Sequence, residues 1–280
     1  MTRINRREFL KRSGVITVTS VAAVAGFNNI LNDYDDLEVV EKHIPIKALG
    51  SGLDGFKIVQ LSDFHFLPLT RPYLVKKAIS LTNQLKPDLV VLTGDFIWHE
   101  LDAIYELTPL LTDLNPRFGM LAVLGNHDHW LNAEVIATEL MKAGIDVLLN
   151  ETRTITSGGN SFQVIGVDDG WSGKPDLMQS LGELNGNMPG ILLWHEPDLA
   201  DQVPQDGRVA LQLSGHTHGG QVRLPGKGAL ILPYLGTKYD CGLYRFEQMH
   251  LYTNRGIGII SIPFRFNCRP EITSIILSGG

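Results

Sequence analysis

The sequence predicts an α/β fold, a two-layered mixed β-sheet sandwich flanked by helices, and three observations carry that expectation. Short apolar runs such as Leu89 to Leu92 are too brief for helices and β-branched enough for fully buried parallel strands. Segments of helical periodicity separate the first of these runs, which is the rhythm of βαβ units. Toward the end of the chain the pattern changes to short strand-like runs that read as a hairpin and a closing strand.

Taken in order, the chain begins with an address. Asn5-Arg6-Arg7-Glu8-Phe9-Leu10-Lys11 is a twin-arginine pattern, followed by a weakly apolar run from Gly14 to Ala25 and the small-residue triplet Ala23-Val24-Ala25. Basic start, apolar run and cleavage-like site come in the order of an export signal, so residues 1–25 are read as a twin-arginine signal segment. The expected partner is the twin-arginine export machinery, and the expected location is the periplasm or cell envelope. The run is too short to span a bilayer comfortably; left uncleaved, it would tether the protein to the membrane. Residues 26–36 are polar and aperiodic and read as a linker, and residues 37–280 read as one domain.

Within that domain, residues 37–49 alternate loosely as an edge strand interrupted at Pro45. A central strand spans 56–61. A helical pattern follows from Thr70, entering beside Pro72 and ending before Pro87, and the strand at Leu89 closes a βαβ unit of right-handed crossover. A helix near 101–114, a strand at 120–124 and a helix over 132–143 closed by Gly144 continue the rhythm. Strands are expected at 145–149, 152–156, 162–167, 191–194 and 209–213, with a brief helix after Pro175. Residues 242–246 and 249–253 form the hairpin, and 272–277 the closing strand.

Composition narrows the function classes. A formal charge of −6 gives no nucleic-acid footprint, and loss of residues 1–25 would remove five basic residues and Glu8, leaving 19 basic against 29 acidic. Cys241 and Cys268 allow at most one disulfide and no zinc knuckle.

The chemistry lies where the apolar runs stop. Asp63 and His65 follow the first central strand, Gly94-Asp95 the second, Asn126, His127 and Asp128 the third, and His195 and then His216 and His218 two later ones. Open α/β sheets hold ligands at such strand ends, and Asp, Asn and His together suit hard or borderline divalent metals. In D-X-H and H-X-H an extended backbone would turn both flanking side chains the same way. Two metals about 3.5–4 Å apart need a bridging ligand, best a carboxylate, and Asp95 is the candidate.

This ordered set, with 32 residues from Asp63 to Asp95 and 31 from Asp95 to Asn126, resembles the calcineurin-like binuclear metallophosphoesterases. Within that family it looks most like the bacterial twin-arginine-exported phosphodiesterases, a group near enzymes that split UDP-diacylglucosamine. The resemblance implies Asp63, His65 and His218 on one ion, Asn126, His195 and His216 on the other, and a metal-bridging hydroxide as nucleophile. It implies His127 as general acid and two divalent ions, manganese, zinc or iron. Asp128 is expected to orient His127 or its loop. Phosphoprotein phosphatases continue G-D-X-V-D-R-G, whereas Trp98 and His99 stand here at the aspartate and arginine positions, which argues against a protein phosphatase and leaves the partner of His127 open.

Other polar residues have plainer readings. His43 and His250 read as surface or strand residues. His99 and His129 neighbour the ligand loops and are candidate substrate contacts, and Arg255 and Arg269 are candidates to grip a diphosphate or else form ordinary salt bridges. Trp98, Trp130, Trp171 and Trp194 read as packing. The expected activity is hydrolysis of a phosphodiester or pyrophosphate, with a UDP-diacylglucosamine-like or other cell-envelope lipid as a candidate substrate. The rivals are an acid-type phosphomonoesterase and a non-catalytic metal-binding scaffold.

Overall fold

The structure, a computed structural model, describes residues 35–184 and 188–279, so the twin-arginine segment and most of the expected linker lie outside the described residues. The first sheet contains β1 (Glu38–Ile46), β2 (Lys57–Leu61), β3 (Leu89–Thr93), β4 (Met120–Val123), β5 (Ile145–Val147) and β14 (Glu271–Gly279), in the order β1-β14-β2-β3-β4-β5. The second contains β6 (Glu151–Ser157), β7 (Asn160–Gly166), β8 (Gly190–Leu193), β9 (Val209–Ser214), β12 (Gly242–Arg245) and β13 (His250–Thr253), in the order β12-β13-β9-β8-β7-β6. Strands β2 to β5 run parallel in one sheet and β7 to β9 in the other, with antiparallel pairs towards the edges.

Period-two alternation explains why the central runs are apolar throughout. Leu89 and Val91 of β3 face the second sheet and meet Phe162, Val164, Leu193 and Leu213 between the layers. Val90 and Leu92 face the other way, against Leu74 and Val75 of α1 (Pro72–Gln84), Leu107 of α2 (Ala103–Leu111) and Leu140 of α4 (Ala133–Lys142). The outer face of the second sheet packs Ile165, Leu192 and Trp194 on Leu181 of α5 (Leu177–Gly182) and on Leu199. The expected sandwich with flanking helices is the fold observed.

Local differences have local causes. The helix expected over 101–114 is shorter, because Asp113 and Leu114 close on Leu110 and Leu111 in tight turns. A helix not expected, α3 (Asn126–Leu131), precedes α4. Its sequence has no apolar stripe; Asp128 starts it by accepting from the Gly125 N–H at 2.9 Å. Asn132 then caps α4 by accepting from Val135 N. A small hairpin of β10 (Arg223–Leu224) and β11 (Gly228–Ala229) was also not expected. Cys241 and Cys268 are both free thiols.

Phe162 sits fully buried between the sheets, edge-on to Phe56 at 5.1 Å. Phe162→Ala is expected to cost about 3–5 kcal/mol in urea unfolding; a loss below about 1 kcal/mol would show that the layers are not held by this packing.

Candidate metal centre

The C-terminal ends of β2, β3 and β4 meet those of β8 and β9 at one edge of the sandwich, and polar side chains lock the two layers there. Gln60 Nε2 donates to Thr93 Oγ1 and to the Ser214 carbonyl, both at 3.0 Å. The His216 peptide N–H donates to both carboxylate oxygens of Asp63, at 2.9 and 3.0 Å. His195 Nδ1 lies 2.6 Å from the Thr93 carbonyl, which fixes it as the protonated nitrogen because a carbonyl only accepts.

The extended D-X-H and H-X-H geometry expected from the sequence is not what turns these residues inward. Strands β2 and β9 end before the motifs, and Asp63, His65, Asp95, His216 and His218 all have left-handed backbones, with φ of 51°, 39°, 57°, 71° and 51°. Past the last ladder bond the chain is free to curl, and the curl aims each side chain at a common point.

Seven residues were expected there, and donor distances bring six of them together. The donor atoms of Asp63, His65 and His218 lie within 4.8 Å of one another, as do those of Asp95, His195 and His216. Asp95 Oδ2 stands between the two groups, 3.3 Å from His65 Nε2 and 3.2 Å from His195 Nε2. His218 Nε2 is 3.4 Å from Asp63 Oδ1. Asn126, the seventh, opens α3 directly after Gly125, with its Oδ1 buried and unpartnered among the described residues. Only glycine fits at 125 and 215: a Cβ at the first would strike Asp95 Oδ1 and His195 Nε2, and at the second Ser62 Oγ and Asp63 Oδ2.

This donor set fits metal ions. Both ring nitrogens of His65, Nε2 of His195 and of His218, and Oδ1 of Asn126 are buried with no hydrogen-bond partner among the described residues. Such groups are costly in a protein interior unless something accepts their lone pairs. His195 through Thr93, and His216 through the Tyr234 carbonyl 2.7 Å from its Nε2, have one nitrogen anchored on backbone and the other directed inward, the arrangement of metal-ligating histidines.

Charges follow the same geometry. Burial alone would raise the Asp95 carboxyl, but His195, His127 and His65 around it hold it well below the usual carboxylate range. Burial would likewise lower His195, and Asp95 instead raises it well above the ordinary imidazole value. Asp63 is pushed up to about 7 by burial, with His195 opposing and Asp95 adding to the rise. Burial drives His65 and His218 well down, and burial with the neighbouring His195 charge brings His216 to about 4.

The remaining candidates divide. Asp128 accepts from the backbone N–H groups of Gly125, Asp95 and Phe96, each at 2.9 Å, so it ties the β3 and β4 loops together and orients the loop rather than the His127 ring. Burial and the Asp95 charge raise it to about 7. His127 lies between Trp98, stacked at 4.5 Å and 26°, and Trp130 at 4.5 Å, edge-on to His65 at 4.7 Å. Burial lowers its pKa, with the Asp95 charge opposing, and the tryptophan standing at the family's aspartate position stacks on its ring. His99 is exposed beside Trp98 at 4.4 Å. His129 is held by Asp168 at 2.7 Å and turned from the cluster into a loop contact.

Arg255 pairs with Glu271 and, at 2.8 Å, with Glu38; Arg269 pairs with Asp36 at 2.6 Å. Both guanidinium groups are therefore structural ties, the salt-bridge alternative, and neither is presented to the cluster. The packing reading holds for Trp194 but not for Trp98, Trp130 and Trp171, which border the site. Sequence reasoning also missed Arg265, fully buried behind His218 and donating to the carbonyls of Arg255 at 2.8 Å and Gly256 at 3.1 Å. It missed Glu196, which accepts from the Gly170 and Trp171 N–H groups and holds the Trp171 loop. The position of Glu196, next to a candidate ligand, was the one available signal.

A sandwich whose parallel strand ends gather imidazoles and carboxylates in this way defines a protein with a candidate metal centre. The profile of the calcineurin-like phosphoesterases matches residues 56–220. The uncharacterised metallophosphoesterase YkuE of Bacillus subtilis (strain 168) is 38% identical over 288 residues, covering 100% of this chain and 99% of that one. Phosphodiesterase YaeI of Escherichia coli (strain K12) is 36% identical over 283 residues, covering 98% and 99%. A Danio rerio protein named as a transmembrane protein with metallophosphoesterase domain is 32% identical, covering 94% of this chain and 61% of its own length. In fold, the chain resembles the NAD nucleotidase of Haemophilus influenzae at a TM-score of 0.51 and 16% identity, over 72% of this chain and 45% of that one. The chain belongs to the calcineurin-like phosphoesterase family and is a hydrolase acting on phosphoric ester bonds.

Two predictions follow from the charges and the loop ties. Metal loading must displace the proton that Asp63, pushed up to about 7 by burial, still holds, so affinity in calorimetric titration is expected to rise, with proton release, from about pH 6 to about pH 8; a pH-independent affinity would contradict the assignment. Asp128→Ala leaves three buried N–H groups unsatisfied and is expected to cost at least about 3 kcal/mol of stability in chemical unfolding, whereas an unchanged midpoint would remove it as the tie between loops.

Proposed function

We propose that this chain is an exported phosphodiesterase that works with two divalent cations and cleaves a phosphodiester or pyrophosphate bond. The observation that carries the reading is the single carboxylate of Asp95 shared between two groups of inward-facing donors. Asp63, His65 and His218 would hold one ion, and Asn126, His195 and His216 the other, with Asp95 common to both. When bound, such a pair supplies Lewis-acid polarisation of the phosphoryl oxygens and a nucleophile at neutral pH. The nature of the ion, manganese, zinc or iron, is left to geometry and supply.

The chain's own residues then define the approach of the substrate. His127 is held neutral in the free site by burial, and an anionic phosphate beside it would favour the protonated ring. Stacked on Trp98 and edge-on to His65, the protonated ring would deliver its proton to the leaving oxygen. Arg255 and Arg265 are occupied by carboxylates and carbonyls, so neither is free to neutralise the second charge of a monoester; a singly charged diester suits the site better. The name of the Escherichia coli relative points the same way. Lipid-linked compounds of the cell envelope, UDP-diacylglucosamine-like or otherwise, are the proposed substrate pool, consistent with the twin-arginine pattern at residues 5–11.

The test is turnover of bis-p-nitrophenyl phosphate against p-nitrophenyl phosphate with manganese, zinc or iron supplied. Preference for the diester is expected, and a large monoester preference would replace the diesterase reading with an acid-phosphatase one. His127→Ala is expected to retain bound metal and lose roughly 10²–10⁴-fold in turnover; an unchanged rate removes His127 from proton transfer. Replacing Arg6 and Arg7 by lysine is expected to leave the full chain in the cytoplasm on cell fractionation, and undiminished export would refute the twin-arginine assignment.

A further inference from the structure

The end of β11 and the loop after it carry seven consecutive apolar residues, Ala229-Leu230-Ile231-Leu232-Pro233-Tyr234-Leu235, with no charged residue between Gly228 and Gly236. Inside the sandwich such a run would be a buried strand. Here it lies outside both sheets, with Leu230 56%, Ile231 81% and Tyr234 63% exposed. Apolar surface gathered in one exposed patch marks an interaction site.

The patch is continuous with the metal centre. The Tyr234 carbonyl anchors His216, and the Ile231 carbonyl lies so close over Gly220 that an added Cβ there would meet it at 2.9 Å. From Tyr234 an aromatic arc runs to Trp171 at 5.5 Å, on to Trp130 at 5.0 Å and then to His127 at 4.5 Å. Trp130 is 51% exposed, and on the other flank Ile262, also exposed, is tied through its carbonyl to Gln221 at 3.2 Å. The mouth of the site is thus bordered by tryptophan, tyrosine and branched aliphatic side chains.

Three observations select what covers this border. Trp and Tyr beside aliphatic residues are the composition that settles at the boundary between lipid headgroups and acyl chains. The chain enters the described fold at the same edge: Glu38 pairs in register with Glu271, Arg255 bridges them, and the Arg255 side chain packs under Gly219 beside His218. Ahead of that entry lie 34 residues that include the apolar run from Gly14 to Ala25. Among the described residues no helix is long and apolar enough to cross a membrane.

We infer that this rim seats on the surface of a lipid bilayer and presents to the site the phosphodiester or diphosphate linkage of a membrane lipid, whose acyl chains stay in the bilayer. The substrate class rests on the phosphodiesterase reading above. No charged residue lies between Gly228 and Gly236, so apolar burial drives the rim's contact, and zwitterionic vesicles, which carry no net charge to attract the basic residues at 3–12, are the probe.

The full-length protein is mixed with vesicles of phosphatidylcholine brominated in its acyl chains, which quench tryptophan only on contact. Trp130 and Trp171 report from the rim, while Trp194 is buried in the core of the second sheet. Fluorescence about twofold below that in unbrominated vesicles is expected. Leu230→Ser with Ile231→Ser should abolish the quenching while leaving the thermal unfolding temperature unchanged. Co-sedimentation with vesicles but no quenching would overturn the inference by assigning contact to another part of the chain. Quenching unaffected by the double variant, or a dimer that the double variant dissolves, overturns it as well. Turnover of soluble bis-p-nitrophenyl phosphate separates the two readings: turnover without quenching sinks the seating alone, and quenching without turnover sinks the phosphodiesterase reading and the lipid substrate with it.

Discussion

The carboxylate of Asp95 is buried at the end of β3 with an imidazole nitrogen close to one of its oxygens on either side and the His127 peptide N–H on the other oxygen at 2.9 Å. An ionised carboxylate in such a place is expensive unless positive charge and hydrogen bonds surround it. His195 supplies charge, and the backbone supplies donors. The neighbouring lone pairs of His65, His218 and Asn126 nonetheless stay unmatched by protein groups among the described residues. The site is built to be completed by cations, and the rest of the edge serves to keep those unmatched atoms pointed inward.

That service is visible in the backbone. Five of the candidate ligands adopt left-handed φ, which costs roughly 1–3 kcal/mol each for residues other than glycine. The two-layered core supplies the rigidity that sustains it. Sandwich strands stop in step, Gln60 and His195 bond across the layers, and Asp128 spans two loops. Strained ligand residues held at the ends of a rigid, regularly paired core are what preorganised sites require.

The fold was legible where apolar periodicity was strong. Leu89 to Leu92, buried on both faces, could be read as a central strand because both sheet faces demand apolar side chains. The ligand set was legible for a different reason: each candidate follows directly on a strand, and strand ends converge. What sequence did not reveal depended on loops. Helix α3 has no apolar stripe and exists because Asp128 caps it. The curl at Asp63 and His218 carries no compositional mark, since Asp and His tolerate left-handed φ better than most residues yet usually sit elsewhere, and no glycine stands there to signal it. Trp98 and Trp130 looked like packing because nothing in the sequence shows that they flank His127. The apolar loop at 229–235 resembles a strand in composition, and only its exposure distinguishes it.

The candidate metal centre and an exposed apolar surface meet at this one edge. The loop that anchors His216 is the same loop that exposes Ile231 and Tyr234, so a surface contact at the rim is mechanically joined to a candidate ligand. The most direct measurement is anomalous scattering from crystals grown with manganese. Two peaks about 3.5–4 Å apart, flanking Oδ2 of Asp95, are expected. A single peak, or a pair that does not share Asp95, would contradict the bridging carboxylate on which the proposed hydrolysis rests.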